Sequence, residues 1–397
     1  LLKSVGAAKG FAKSGGDAAR DALRIHYREL LLKIAIWDLG HEDPLHQIEW
    51  VTGSLSDIAG GALEAGLAIA RTEVAENFST DGVALVDLAI IGMGKCGARE
   101  LNYLSDVDVI YVGASLDEEK LPTDKALTIA TRLAQHTARA IFEVSKEPGL
   151  WEVDANLRPE GKDGALVRTL DSHLAYYDRW AKDWEFQALL KARPLAGSKE
   201  LGEQYVASVA PKVWSSASRS NFVEHVQRMR ERVTENIPGD DVEYQIKLGP
   251  GGLRDIEFTV QLLQLVHGLV DDSVHTKGTL ESLTRLSEAG YVGRDEAQSF
   301  ADNYRFLRLL EHRMQLRDLS RTHLMPRDEE GQRVLARATG LWHTAEEVVS
   351  HWQQTKLDVR ELHERLFYRP LLAAVAKLPE ETHQLTNDQA EARLAAI

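Results

Sequence analysis

Asp106-Val107-Asp108 is the pair of residues in this chain best placed to do chemistry. The segment from Asp106 to Val112 alternates acid with β-branched residues, a pattern that reads as a strand. Alternation puts both acids on one face, about 7 Å apart along the strand. Carboxylates crowded in this way repel, and the flanking Val107, Val109 and Ile110 leave little solvent to relieve them. A divalent cation is the natural relief, since Mg²⁺ takes a few carboxylates together with the phosphate oxygens of a substrate. A bare D-x-D is more often a pair of solvated acids on an exposed strand, so its neighbours decide.

Val83 to Met93 is an apolar, β-branched run that ends in Gly92-Met93-Gly94-Lys95, a buried strand entering a glycine turn. Backbone N–H groups of such a turn can cradle a phosphate, and Lys95 could meet one. Ten residues, 96–105, separate Lys95 from Asp106. Strand, glycine turn and acid pair in this order are the arrangement of the nucleotidyltransferase fold, whose second turn position is Gly or Ser where this chain has Lys95. Asp154, in the apolar strand segment Glu152-Val153-Asp154, stands where a third metal-facing acid is needed, and Arg158-Pro159 brings a cation after it. Taken singly, these are a turn lysine, a solvated strand acid and a surface arginine. Together they point to a metal-dependent phosphoryl or nucleotidyl site with Asp106, Asp108 and Asp154 as its metal-binding, catalytic acids. Gly92, Gly94 and Gly97 also match G-x-G-x-x-G, but no run of βαβ units follows and the acid pair arrives too soon for a dinucleotide fold.

The elements that must position these residues are mostly helical. Residues 17–40 carry Leu23, Tyr27, Leu30, Leu31, Ile34 and Trp37 at helical spacing, and 60–78 is helical in composition. Helices are expected again over 123–144, 184–192, 254–268, 277–290, 296–318 and 343–367, and strands over 150–157 and 165–169. The fold class expected is α+β, predominantly helical: a nucleotidyltransferase-type mixed sheet with a helical N-terminal segment and a C-terminal bundle. The boundaries expected are 1–80 for the N-terminal segment, 81–245 for the catalytic unit and 246–397 for the bundle, which is expected to hold no catalytic metal.

Composition narrows the classes. The 397 residues are 44% hydrophobic and 27% charged, an ordinary globular make-up. Lys and Arg number 47 against 61 Asp and Glu, a net charge of −14, which argues against a nucleic-acid binder. No apolar run is long enough to span a membrane. One cysteine, Cys96, excludes an intrachain disulfide and a cysteine-rich zinc site, and a reducing, cytoplasmic setting is expected. The start, Leu1-Leu2-Lys3-Ser4, has neither Met nor a signal-peptide pattern, as expected of a segment of a longer chain.

The run from Gly92 to Asp108, GMGKCGARELNYLSDVD, resembles the signature of the bifunctional glutamine synthetase adenylyltransferase/adenylyl-removing enzymes. It departs at Cys96, where leucine is usual, and at Ala98, where glycine is common. Further matches are Val153-Asp154 with Leu157-Arg158-Pro159 and Gly161, then Asp183-Trp184-Glu185 with Lys191-Ala192-Arg193, then Ile246 to Phe258, IKLGPGGLRDIEF. The resemblance covers roughly residues 20–370.

That family carries two related nucleotidyltransferase halves. One attaches AMP to a tyrosine of glutamine synthetase, and the other removes it by phosphorolysis, taking phosphate and releasing ADP. One D-h-D constellation implies one half here. The wording at Glu100-Leu101-Asn102-Tyr103 and Arg254-Asp255-Ile256-Glu257-Phe258 looks like the removing half. AMP transfer from ATP, or a non-catalytic module binding nucleotide or a PII-type protein, are the alternatives. The resemblance implies Mg²⁺ at Asp106, Asp108 and Asp154. It implies phosphate or nucleotide contacts from Gly94, Lys95, Ser105, Arg158, Lys191 and Arg193. It implies as partners glutamine synthetase, a PII-type nitrogen-signalling protein and a second, adenylyltransferase half, with no nucleic acid and no membrane.

The chemistry asks for little else. A tyrosyl phenolate leaves with a pKa near 10 and phosphate is already anionic, so no histidine base is required. The 14 histidines are read as surface or core residues. Trp184 is expected to pack in the core, Arg254 to face the site, and Asp255 and Glu257 to serve the helix start, where acids suit the dipole.

Overall fold

Along strand β1 (Val86–Gly92) and strand β2 (Val107–Ser115) the side chains alternate between two cores. Leu88, Ile90, Val107, Val109 and Tyr111 enter one, and Ala89, Ile91, Ile110 and Val112 enter the other. The two strands pair antiparallel from Val86↔Ser115 to Gly92↔Val109. The computed structural model describes residues 15–77 and 80–368. The expectations for 1–14 and 369–397 lie outside the described residues.

The sheet is mixed. Its order is β3-β2-β1-β5, with β3 (Val153–Asp154) and β4 (Val167–Arg168) both parallel to β2, and β5 (Arg193–Gly197) antiparallel to β1. Helices α1 (Gly16–Leu39), α2 (Ile48–Asn77) and, after the short α3 (Thr80–Ala84) and α4 (Gly94–Gly97), α5 (Thr123–Phe142) cover the first face. On the second face lie α6 (Leu170–Arg179), α7 (Asp183–Leu189), α8 (Lys199–Trp214) and α9 (Phe222–Glu235). One side of α10 (Leu253–His267) joins them through Phe258, Leu262 and Leu265. Its other side, with Ile256, Val260 and Leu263, enters a third core. That core also holds α11 (Thr279–Glu288), α12 (Arg294–Asp318), α13 (Glu329–Thr339) and α14 (Ala345–Phe367). Helix α10 therefore ties the bundle to the sheet. Among the described residues no helix is long and apolar enough to cross a membrane.

The α+β, mostly helical class stands, with differences in detail. The first strand begins at Val86 because Thr80–Ala84 is helical. The strand expected over 150–157 shrinks to Val153–Asp154, and that over 165–169 to Val167–Arg168. Strand β5 contains Pro194 and gave no strand signal, but it pairs with β1 at the sheet edge, where a missing N–H is tolerated. Helices α8, α9 and α13 also went unmarked in the sequence pattern.

Candidate active site

The site grows from the turn between β1 and β2. The Met93 amide donates to the Asp108 carbonyl at 2.9 Å, tying the turn to the acid strand. Gly94 then takes φ +51°, and a Cβ there would lie 2.4 Å from Asp108 Oδ2, so only glycine lets the turn pass this carboxylate. A Cβ at Gly97 would lie 2.0 Å from the Lys191 carbonyl oxygen. Ala98, a departure from the expected signature, has φ −76°, while Arg99 takes the left-handed conformation at φ 63°. The turn thus tolerates alanine at 98. Burial pushes the Cys96 thiol up to about 12, which leaves it inert.

Alternation along β2 sends Asp106 and Asp108 to the face of Ile110 and Val112, toward α7 and α10. There they line a cleft of about 290 Å³. Asp106 accepts from Arg321 Nη1 at 2.9 Å, and from Ser105 Oγ at 3.3 Å. Burial, then the charges of Asp106 and Asp154, push the Asp108 carboxyl up to about 6. Asp154 is the register partner of Asp108 across the parallel β2–β3 pair. Its Oδ1 accepts from the Asn156 amide at 2.7 Å.

The opposite wall is cationic. Arg254 pairs with Glu257 at 3.0 Å, and Lys247 lines the cleft without an ion pair among the described residues. Burial pushes the Glu257 carboxyl up, but Arg254, Lys191, Lys95 and Lys247 outweigh it and hold the group at about 2. Lys191 Nζ is 3.0 Å from Glu100 Oε2. Lys95 Nζ lies 3.1 Å from both oxygens of Glu311, a fully buried acid on α12 that also binds Arg308 Nη1 at 2.7 Å. Burial, then the Arg308 charge, lower the Lys95 ammonium to about 7.

A family model described as glutamate-ammonia ligase adenylyltransferase matches residues 7–208, which hold the glycine turn, all three acids, Lys191 and Arg193. This chain belongs to that family. A second model, GlnD PII-uridylyltransferase, matches residues 220–367. A curated relative from Leifsonia xyli subsp. xyli, a bifunctional glutamine synthetase adenylyltransferase/adenylyl-removing enzyme, is 60% identical over 100% of this chain and 40% of its own length. Proteins of the same name from Streptomyces avermitilis and Cutibacterium acnes are 51% and 46% identical over 95% and 100% of this chain. The chain spans 37–40% of the length of these relatives.

Of the site residues expected from the family signature, Gly94, Lys95, Ser105, Asp106, Asp108 and Lys191 line the cleft, and Asp154, Arg158 and Arg193 do not. Arg158 is spent on the carbonyls of Ala155, Lys162 and Gly164, at 2.8–3.1 Å, and so holds the loop after β3. Arg193 donates to the carbonyls of Cys96 and Gly97 at 2.9 and 3.0 Å, on the far end of the turn. Trp184, expected in the core, is 37% exposed on the cleft wall. Arg254 faces the cleft as expected. Asp255 serves the helix start, accepting from the Gly251 amide at 2.7 Å and pairing with Arg230, whereas Glu257 lines the cleft.

Lys247, Gln261 and Arg321 were given no role by sequence. The first two flank the Gly249–Gly252 turn and the α10 stripe, a weak signal; Arg321 gave none. With Arg254, they bring residues of the 246–397 segment to the cleft. Among the described residues no group of three or more His, Cys, Asp or Glu is drawn close enough to hold a metal ion as it stands. The donor chemistry still fits one. Asp106 and Asp108 are hard oxygen donors side by side, Asp154 is in register beside them, and Asp108 is short of compensating positive charge.

Proposed function

We propose that this chain removes AMP from the adenylylated tyrosine of glutamine synthetase by Mg²⁺-dependent phosphorolysis, with phosphate consumed and ADP released. The observation that carries the reading is the two-sided cleft: acids crowded on β2 face Lys247, Arg254 and Lys191 across about 290 Å³. Such a cleft suits a phosphodiester and a second anion held together.

Asp106 and Asp108, with Asp154, would hold Mg²⁺, which when bound neutralises phosphoryl oxygens and stabilises a leaving phenolate. Lys247 and Arg254 bind and orient the attacking phosphate dianion, whose own charge makes a general base unnecessary. The glycine at 94 lets the turn backbone pack against the Asp108 carboxylate. Arg321, paired with Asp106, holds a positive charge beside that acid. Trp184, 37% exposed, offers a ring to the nucleotide on the cleft wall. The phenolate takes its proton from water after departure. We propose as partners glutamine synthetase, a PII-type protein and a second catalytic half of the longer protein. Transfer of AMP from ATP is the alternative direction, since the acids serve either.

The test is to incubate adenylylated glutamine synthetase with this chain, Mg²⁺ and phosphate, and to follow nucleotide release. Phosphate-dependent ADP formation with saturable kinetics is expected. AMP release that ignores phosphate would mean hydrolysis, and AMP incorporation from ATP alone would mean the transferring direction.

A further inference from the structure

A second cavity, of about 580 Å³, opens at the C-terminal end of the glycine turn. It shares no lining residue with the acid cleft. Gly97, Arg99, Arg193 and Lys277 are in its wall.

The acids on this wall are mostly taken. Asp57 pairs with Arg99 at 2.7 Å and Glu49 with Arg305 at 3.2 Å. Glu100 holds Lys191 and caps the Thr279 amide. Glu281, exposed at the rim, makes no ion pair among the described residues.

Two of the cations are not balanced. Arg193 donates only to the carbonyls of Cys96 and Gly97, and Lys277 Nζ only to the Ala192 carbonyl at 2.7 Å. Neither makes an ion pair among the described residues, and each keeps further N–H donors. Burial lowers the pKa of both groups; the Arg193 charge lowers that of Lys277 further, and Asp57 only partly offsets the lowering at Arg193. Partly buried like charges without a counter-ion are unfavourable, and a bound anion relieves them.

We propose that this cavity is a second anion site, which takes a compact oxyanion, phosphate or carboxylate in type, between Arg193 and Lys277. The site bears on the catalytic turn. An anion that draws the Arg193 guanidinium competes with the Cys96 and Gly97 carbonyls it now holds. Glu100, on the same wall, holds the cleft residue Lys191. An occupant is therefore an effector of the turn and not a substrate, and the proposal does not depend on the direction of the reaction.

The test is calorimetric titration of the chain with sodium sulfate and, separately, sodium succinate at constant ionic strength. Sulfate stands for a phosphate-type ligand without being consumed at the cleft; succinate stands for a carboxylate-type one. Saturable binding of at least one is expected, at least about tenfold weaker in Lys277→Gln and restored in Lys277→Arg. Lys247→Gln, in the acid cleft where sulfate can also bind, should leave this Lys277-dependent binding unchanged. Glu281→Gln, at the exposed rim, should tighten it by about threefold. No saturable binding of either anion, binding lost in Lys247→Gln but kept in Lys277→Gln, or an affinity unmoved by Glu281→Gln would overturn the proposal.

Discussion

Asp106 and Asp108 stand two residues apart on one strand, whereas Lys191, Lys247, Arg254 and Arg321, the cations of the same cleft, come from α7's C-terminal end, a loop, α10 and the segment after α12. The acids owe their shared face to the period of two along a strand, a local rule. The cations owe theirs to helices packing on the sheet through Phe258, Leu262 and Leu265. Negative charge in this cleft is thus a property of a short peptide, and positive charge a property of the assembled fold. Glu311 joins the two regions, because a buried acid on α12 grips Lys95 of the turn.

The largest effect should come from cutting that joint. Glu311→Ala leaves Lys95 and Arg308 buried without their counter-charge and should cost about 3–5 kcal/mol, measured by urea unfolding. A loss under about 1 kcal/mol would mean that the two regions are not mechanically joined there.

Asp108→Asn should lower the rate of AMP removal by about 10²–10³, as loss of a group that stabilises transition-state charge does. Its melting temperature should not fall, since one of three mutually repelling acids is gone. An active Asp108→Asn protein would remove the acid half of the comparison.

His173, under β2, tests the sheet region alone. Burial holds its imidazole down at about 4, with Nε2 at 3.4 Å from the Tyr111 carbonyl oxygen. The unfolded chain, with an ordinary value near 6.5, binds the proton first. Stability should therefore fall as pH drops below about 6.5, by about 3 kcal/mol on reaching pH 4. His173→Gln should flatten that slope in unfolding curves compared at pH 7 and pH 4.5; an unchanged slope would show that other groups control it.

Lys247→Gln should raise the KM for phosphate, one charge-assisted contact being worth about 1.5–3 kcal/mol, and leave stability nearly unchanged because Lys247 makes no ion pair among the described residues. A fall in kcat with constant KM would move Lys247 from phosphate binding to transition-state stabilisation.

Much of this was legible in the residues. The GMGKCGARELNYLSDVD run, with Asp154 after it, led to the fold class, the acid face and the family, since glycine demand and strand alternation act over a few residues. The same reading placed Arg158 and Arg193 at the site, but they do not line the cleft. Arg158 follows β3 and Arg193 opens β5, yet a guanidinium goes to the nearest unsatisfied carbonyls, and which carbonyls those are depends on how the loop after β3 and the turn end fold back.

By itself, then, the chain's sequence determined the strand–turn–strand unit and its paired carboxylates, because their geometry is written in the spacing of neighbouring residues. Lys191 and Arg254 were also expected there, but only the tertiary structure added Lys247 and Arg321 and left out Arg158 and Arg193. Lys247, Arg254 and Arg321 all lie far beyond Asp108 in the chain, and Arg254 reaches the cleft on α10, whose two apolar sides enter two different cores. No local periodicity records which face of such a helix meets the sheet; that is settled by the simultaneous burial of both sides.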